Sequence, residues 1–172
     1  HPPAGIVAGD SLAIDVEAGP GAHVQATTPG AAKWYRSSGR IAHSATSVRA
    51  HAGALVEWLP LETILFDGAR AAIRLTVALA ADARFVGWDI TCLGRTASGE
   101  RFASGRLRQA LEIYRDGELL WCDRIALDGG TRSLQSGAIL GGAPVFGTMI
   151  ATVSDADDAL LAGCRGVRCE RG

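Results

Sequence analysis

The sequence predicts a mostly β fold, built as stacked β-hairpin layers in a β-helix-like arrangement and ending in a short C-terminal helix. Three observations predict it. Apolar and polar residues alternate with a period of two along most of the chain, as in Ile73, Leu75, Val77 and Leu79 against Arg74 and Thr76. Glycine outnumbers proline by 22 to 6, which fits a chain rich in turns that need positive φ. A strand–turn–strand unit recurs: its return strands open at Ala22, Ala54, Ala83 and Glu118, at separations of 32, 29 and 35 residues.

The alternation predicts strands near 6–8, 11–18, 22–28, 32–37, 41–51, 54–59, 72–80, 83–92, 101–115, 118–128, 133–135 and 147–151. Turns separate them at Gly19-Pro20-Gly21, Gly53, Ala81-Asp82 and Asp116-Gly117. The last is a favoured two-residue hairpin turn, since both positions accept positive φ. Pro60 ends the strand before it by removing an N–H donor. The apolar excursion that follows, with Leu61, Ile64, Leu65 and Phe66, packs inside or forms a patch for a partner. Ser154 or Asp155 caps a short helix that Gly163 stops. One domain over residues 1–163 and an irregular tail over 164–172 are expected.

Composition excludes several function classes. With 17 basic and 18 acidic residues the formal net charge is −1, which gives no electrostatic reason to expect nucleic acid or an anionic membrane as partner. No apolar run approaches the length of a membrane span, and no signal-peptide pattern opens the chain. The chain opens on His1 and has one methionine, Met149, so its natural start is expected to be absent. Cys92 and Cys122 sit in apolar strand-like runs and read as buried free thiols, and the compartment reads as reducing and cytoplasmic.

Sites for chemistry are sparse. His43 and His51 can meet across strands as a metal pair, and Cys164 with Cys169 is a possible second pair. There is no His-Glu-x-x-His motif, no Gly-x-Ser-x-Gly elbow and no phosphate loop. Carboxylates such as Asp10, Asp67, Asp89 and Glu100 are scattered, so a glycosidase pair depends on folding. Lys33, Trp34, Tyr35 and Arg36 follow a turn, where cations beside aromatics can grip a phosphate or a base or simply face solvent.

Six blocks in collinear order resemble one family, the urease accessory protein UreD (also called UreH). They are Pro2 to Leu12, Thr27 to Arg36, Glu57 to Ala69, Gly94 to Phe102 (Gly-Arg-x-x-x-Gly-Glu-x-Phe), Glu112 to Gly117 and Leu140 to Thr148. The resemblance implies a β-rich stack and a non-enzymatic scaffold in the cytoplasm. It implies UreF, UreG and the urease apoprotein as partners, with nickel(II) passing transiently through an internal tunnel, and no permanently bound cofactor. It places candidate metal-path carboxylates at Glu100, Asp67 and Asp10, and partner-binding residues at Lys33, Tyr35, Arg36, Glu57 and Arg95. Against the family pattern the chain is expected to be truncated at both ends. The alternatives are a carbohydrate-active β-helix enzyme and a structural adaptor without metal contact.

Overall fold

The computed structural model describes residues 5–152 and 158–167. The chain winds through three coils. The first carries β1 (Ser11–Ala18), β2 (His23–Ala26) and β3 (Ala32–Trp34). The second carries β4 (Ala42–Ala50), β5 (Leu55–Trp58) and β6 (Thr63–Leu65), and the third β7 (Arg70–Leu79) and β8 (Arg84–Leu93). A hairpin of β9 (Arg106–Arg115) and β10 (Glu118–Asp128), then β11 (Val145–Ala151) and α1 (Asp158–Gly166), complete it.

Two sheets result. One has the order β1-β4-β7-β9-β10, and in the other β2-β5-β8-β6-β3 is joined by β11 pairing with β8. Successive coils pair in parallel, with Ser11 beside His43, Ala42 beside Ala71 and Arg70 beside Arg106. The first two steps are 32 and 29 residues, the spacing of the sequence repeat. The mostly β, solenoid-like class with a short helix is therefore borne out.

The repeated unit itself differs from expectation. In the first three units the two strands around the turn enter different sheets and pair with the next coil, not with each other. They are arches. Only Arg115-Asp116-Gly117 closes an antiparallel hairpin. The backbone explains this. Asp116 and Gly117 have successive positive φ of 49° and 83°, as a tight hairpin turn needs. In the other turns Gly21 and Gly53 are isolated positive-φ residues, and Ala81-Asp82 has none. Alternation with period two is the same for an arch and a hairpin.

Other boundaries also move. Residues 133–135 lie in a 3-10 turn (Arg132–Gln135), not a strand, and residues 101–105 precede β9 without joining it. Near the start Ile6 makes only an isolated bridge to Trp34. The excursion after Pro60 contains an unexpected strand, β6, with Leu65 fully buried, while Leu61 is exposed. The expected helix caps at Ser154 and Asp155 lie outside the described residues. The helix runs through Gly163 to Gly166, so the tail expected to be irregular from residue 164 begins as helix. Gly163 lacks the positive φ of a helix-ending cap, and so does not stop it.

The core between the sheets falls into two clusters. One, on the side of the arches, contains Val48, Val56, Val77, Phe85 and Ile113; the other contains Trp34, Leu65, Leu93, Phe102 and Leu107. Polar side chains lie on the inner faces between them.

Candidate functional site

The four charged residues of the corner motifs converge although they span three coils. Arg36 donates from Nη2 to Asp67 Oδ2 at 2.6 Å. Asp67 Oδ1 accepts from the Ser104 backbone N–H at 2.8 Å and from its hydroxyl at 3.0 Å. The Asp67 N–H donates to Glu100 Oε1 at 2.8 Å, and Glu100 Oε2 pairs with Arg95. The Arg95 guanidinium lies 4.2 Å over the Phe66 ring, whose centroid is 4.7 Å from that of Tyr35 in an edge-on contact. These contacts clasp one corner of the stack.

Burial raises the Asp67 pKa, but the Ser104 donors and the Arg36 charge outweigh it and the net shift is downward. Glu100 is lowered chiefly by Arg95 and the Asp67 N–H. Carboxylates held below their unfolded values stabilise the fold above the unfolded pKa, and that stability is lost as pH falls through the folded values. Asp67→Ala leaves the Ser104 N–H without its acceptor. We expect it to cost about 2–3 kcal/mol at pH 7 in urea melts. The difference from wild type should shrink steadily below about pH 4, the ordinary Asp value. A cost that does not change with pH would contradict this role.

The other candidates stand apart. Asp10 Oδ2 accepts the Val7 N–H at 2.9 Å in an exposed turn. Glu57 bonds His23 Nε2 at 2.9 Å across β2 and β5. Lys33, beside Ile64 on β6, lines a large cavity described below. His51 bonds Glu17 at 2.8 Å. It follows His43 along the same strand direction, about 26 Å away at the usual rise, so the two do not meet across strands. Cys122 is exposed, not buried, and Cys92 is half-buried with its thiol pKa pushed up by burial. Cys169 lies outside the described residues. Among those described, no group of three or more His, Cys, Asp or Glu is placed to hold a metal ion.

The interior offers a different site. The second sheet is interrupted where β2 gives way to β3 and where β5 gives way to β6. The two bends stack: Thr27 donates from its hydroxyl to Leu59 O at 2.7 Å, and the Leu61 N–H donates to the Thr28 hydroxyl at 2.9 Å. β8 runs unbroken past them. It pairs with β5 up to Gly87 and with β6 from Thr91, which leaves residues 88–90 opposite the bend. The Trp88 Nε1–H closes this gap by donating to Pro60 O at 2.8 Å.

Asp89 sits in that gap on the inner face of β8. It lines two cavities at once. The larger, about 530 Å³, is bounded by Ile14, Ser44, Thr46, Ile73, Trp34 and Trp58, among others. The smaller, about 20 Å³, has room for a single water and is bounded by Gln109, Asp123, Phe146 and Thr148, among others. Gln109 Nε2 donates to Asp89 Oδ2 at 2.5 Å. Gln109 Oε1 is buried without a hydrogen-bond partner in the described protein, and the buried Thr91 hydroxyl lies beside the Asp89 carboxyl. Burial raises the Asp89 pKa, and Gln109 and the nearby Thr91 hydroxyl offset only part of that. Asp89, Gln109 and Thr91 thus make a small polar spot in cavities that are otherwise lined mainly by apolar side chains. Hard, weakly charged donors of this kind suit a hydrated divalent cation in passage better than one held tightly.

Neither Asp67 nor Glu100 lines a cavity with Asp89, and both are occupied by arginine, so the three do not form a glycosidase groove. In the sequence Asp89 is one scattered carboxylate among several. A signal was present: alternation puts it on the face of Phe85, Gly87, Thr91 and Leu93, which is the face that buries.

Sequence comparisons with known proteins converge on one family. The sequence model of the family described as UreD urease accessory protein matches residues 1–171. The urease accessory protein UreD of Dechloromonas aromatica is 49% identical over 170 residues, covering 97% of this chain and 59% of the relative. Its counterpart from Nitrosococcus oceani is 46% identical over 172 residues, covering 100% and 58%. That of Pseudomonas aeruginosa is 48% identical over 169 residues, covering 98% and 60%. The chain thus spans about three-fifths of the length of the relatives it matches.

Proposed function

From the premise that this chain belongs to the UreD family of urease accessory proteins, we propose that it is a non-catalytic scaffold of urease maturation which passes nickel(II) through the cavities at Asp89. The observation that supports the nickel reading is the placement of Asp89, a carboxylate shared by two cavities and flanked by the buried oxygens of Gln109 and Thr91. In this reading nickel is cargo. Asp89 attracts the ion, the neutral oxygens of Gln109, Thr91, Ser44 and Thr46 replace part of its water shell, and the absence of a closed ligand set lets it leave.

The partners are UreF, UreG and the urease apoprotein, in the cytoplasm, with UreG as the nucleotide-hydrolysing member. The corner clasp keeps Arg36, Asp67, Arg95 and Glu100 in place beside Tyr35, while Lys33 and Glu57 present charge at the cavity and on the second sheet. These are the surfaces through which partners would be held. Among the described residues no helix is long and apolar enough to cross a membrane.

The test is co-expression of this chain with UreF, UreG and apo-urease, beside a full-length relative, followed by affinity purification. Recovery of a complex and activation of urease on adding nickel is the expected result for the relative. Failure of the relative to retain any of the three would overturn the reading.

A further inference from the structure

The outer face of the first sheet carries a concentration of arginine that neither the fold nor the interior site uses. Its β7, β9 and β10 portions present Arg70, Arg74, Arg106, Arg108 and Arg124 against two acids, Glu112 and Asp128, a local excess of 5 − 2 = 3 positive charges on a chain of net charge −1. The acids are sunk beneath the cations. The Glu112 side chain is 10% exposed and bonds both Arg74, 58% exposed, and Arg124, 72% exposed. Arg106 and Arg108 both reach Asp128. Arg70 stands directly beside Arg106 in the parallel register and has no ion-pair partner among the described residues. Like charges directly opposite one another cost stability, so the local fold does not account for that pair.

Ala72, Ala110 and Ala126 lie between the arginines and make the floor of the patch flat. Three strands at the usual spacing, over the five residues from Arg70 to Arg74, cover about 10 by 13 Å. That footprint matches one acidic strand or helix face. We infer that the outer face of β7, β9 and β10 docks an acidic protein surface, its arginines using the guanidinium N–H groups that Glu112 and Asp128 leave free. Protein is favoured over nucleic acid or lipid because the patch is only one strand or helix wide and the chain, at net charge −1, lacks the broad positive surface that a duplex or an anionic membrane engages. Arginine also recognises carboxylates bidentately.

This rests on the proposed function only for the choice of natural partners, so the test has two arms. Binding of the wild-type chain and of an Arg70→Gln/Arg108→Gln variant is measured against a polyglutamate peptide and against apo-urease, UreF and UreG, at 50 and 300 mM salt. A single Arg70→Glu variant is run beside them, because Arg70 bonds to nothing that folding needs. We expect wild-type binding to weaken about tenfold or more between the two salt levels, and the double variant to bind about tenfold more weakly at 50 mM with a flatter salt response. Unchanged affinity of both variants for everything the wild type binds overturns the docking face and leaves the urease role standing. Loss of polyglutamate binding in the variants, with no urease-maturation partner bound by the wild type, supports the face and removes that role. Tighter, variant-sensitive binding of a DNA duplex or of phosphatidylserine vesicles overturns the choice of an acidic protein.

Discussion

Replacing Asp89 by asparagine is expected to stabilise this chain at neutral pH and, in the proposed nickel-passing role, to cut urease activation. Burial holds the Asp89 pKa above its ordinary value, so ionising this carboxyl costs more in the folded protein than in the unfolded chain. Stability from such a group is fully present below the unfolded pKa and declines as pH rises through the folded one. Asparagine keeps an oxygen able to accept the Gln109 amide and never ionises. The variant should therefore match wild type near pH 4 and melt a few degrees higher at pH 8, a shift of the size that about 1 kcal/mol produces in a domain of this length. Urease activation should fall about tenfold, the change that ~1.4 kcal/mol of lost attraction for the cation produces. Assembly with partners should persist, because Asp89 lies between the sheets and not on an outer face. Wild-type activation by the Asp89→Asn form would leave a scaffold without metal contact as the better account.

Much of the fold was legible in the sequence because a solenoid repeats its register. The 32- and 29-residue steps between turns reappear as the parallel pairings of Ser11 with His43 and Ala42 with Ala71. The sheet to which each strand belongs was not legible, since alternation records burial and is silent about hydrogen-bond partners. β6 was hidden for a related reason: three residues after Pro60 are too few for a periodic signal, and they are strand only because Ala32–Trp34 and Thr91–Leu93 flank them. The corner clasp was half legible. Its residues stood in the recognised blocks, but their meeting follows from the period. Arg36 and Asp67 are 31 apart, Asp67 and Glu100 33 apart, each about one coil. Applied to the motifs, the repeat length predicts a shared corner and ion pairing there. Asp89 is marked only by its phase, since alternation places this acid on the buried face of β8 with Phe85, Thr91 and Leu93.

Gly105→Ala is expected to cost about 3–5 kcal/mol and to open the corner that holds the three coils together. Gly105 has φ +109°, outside the left-handed region that a non-glycine residue tolerates, and strain of that kind costs on the order of 1–3 kcal/mol. A Cβ there would stand 2.4 Å from Ala69 O and 2.9 Å from the Phe102 ring. Neither neighbour has room to yield. Ala69 O accepts the Arg106 N–H at 2.8 Å, the bond that begins the pairing of β9 to the third coil, and Phe102 is buried in the core beside Leu107. Relief of the clash must therefore come from the backbone at Ser104. Its N–H binds Asp67 and its carbonyl accepts the Gly68 N–H, so the same movement loosens the clasp. Overpacking of this sort adds roughly 1–3 kcal/mol to the strain. Gly137→Ala is the control, since its φ is not positive and no atom lies within 4 Å of the added methyl. Urea melts should separate the two variants clearly. A Gly105→Ala protein within about 1 kcal/mol of wild type would mean that the corner is compliant and that the coils are held mainly by their parallel ladders.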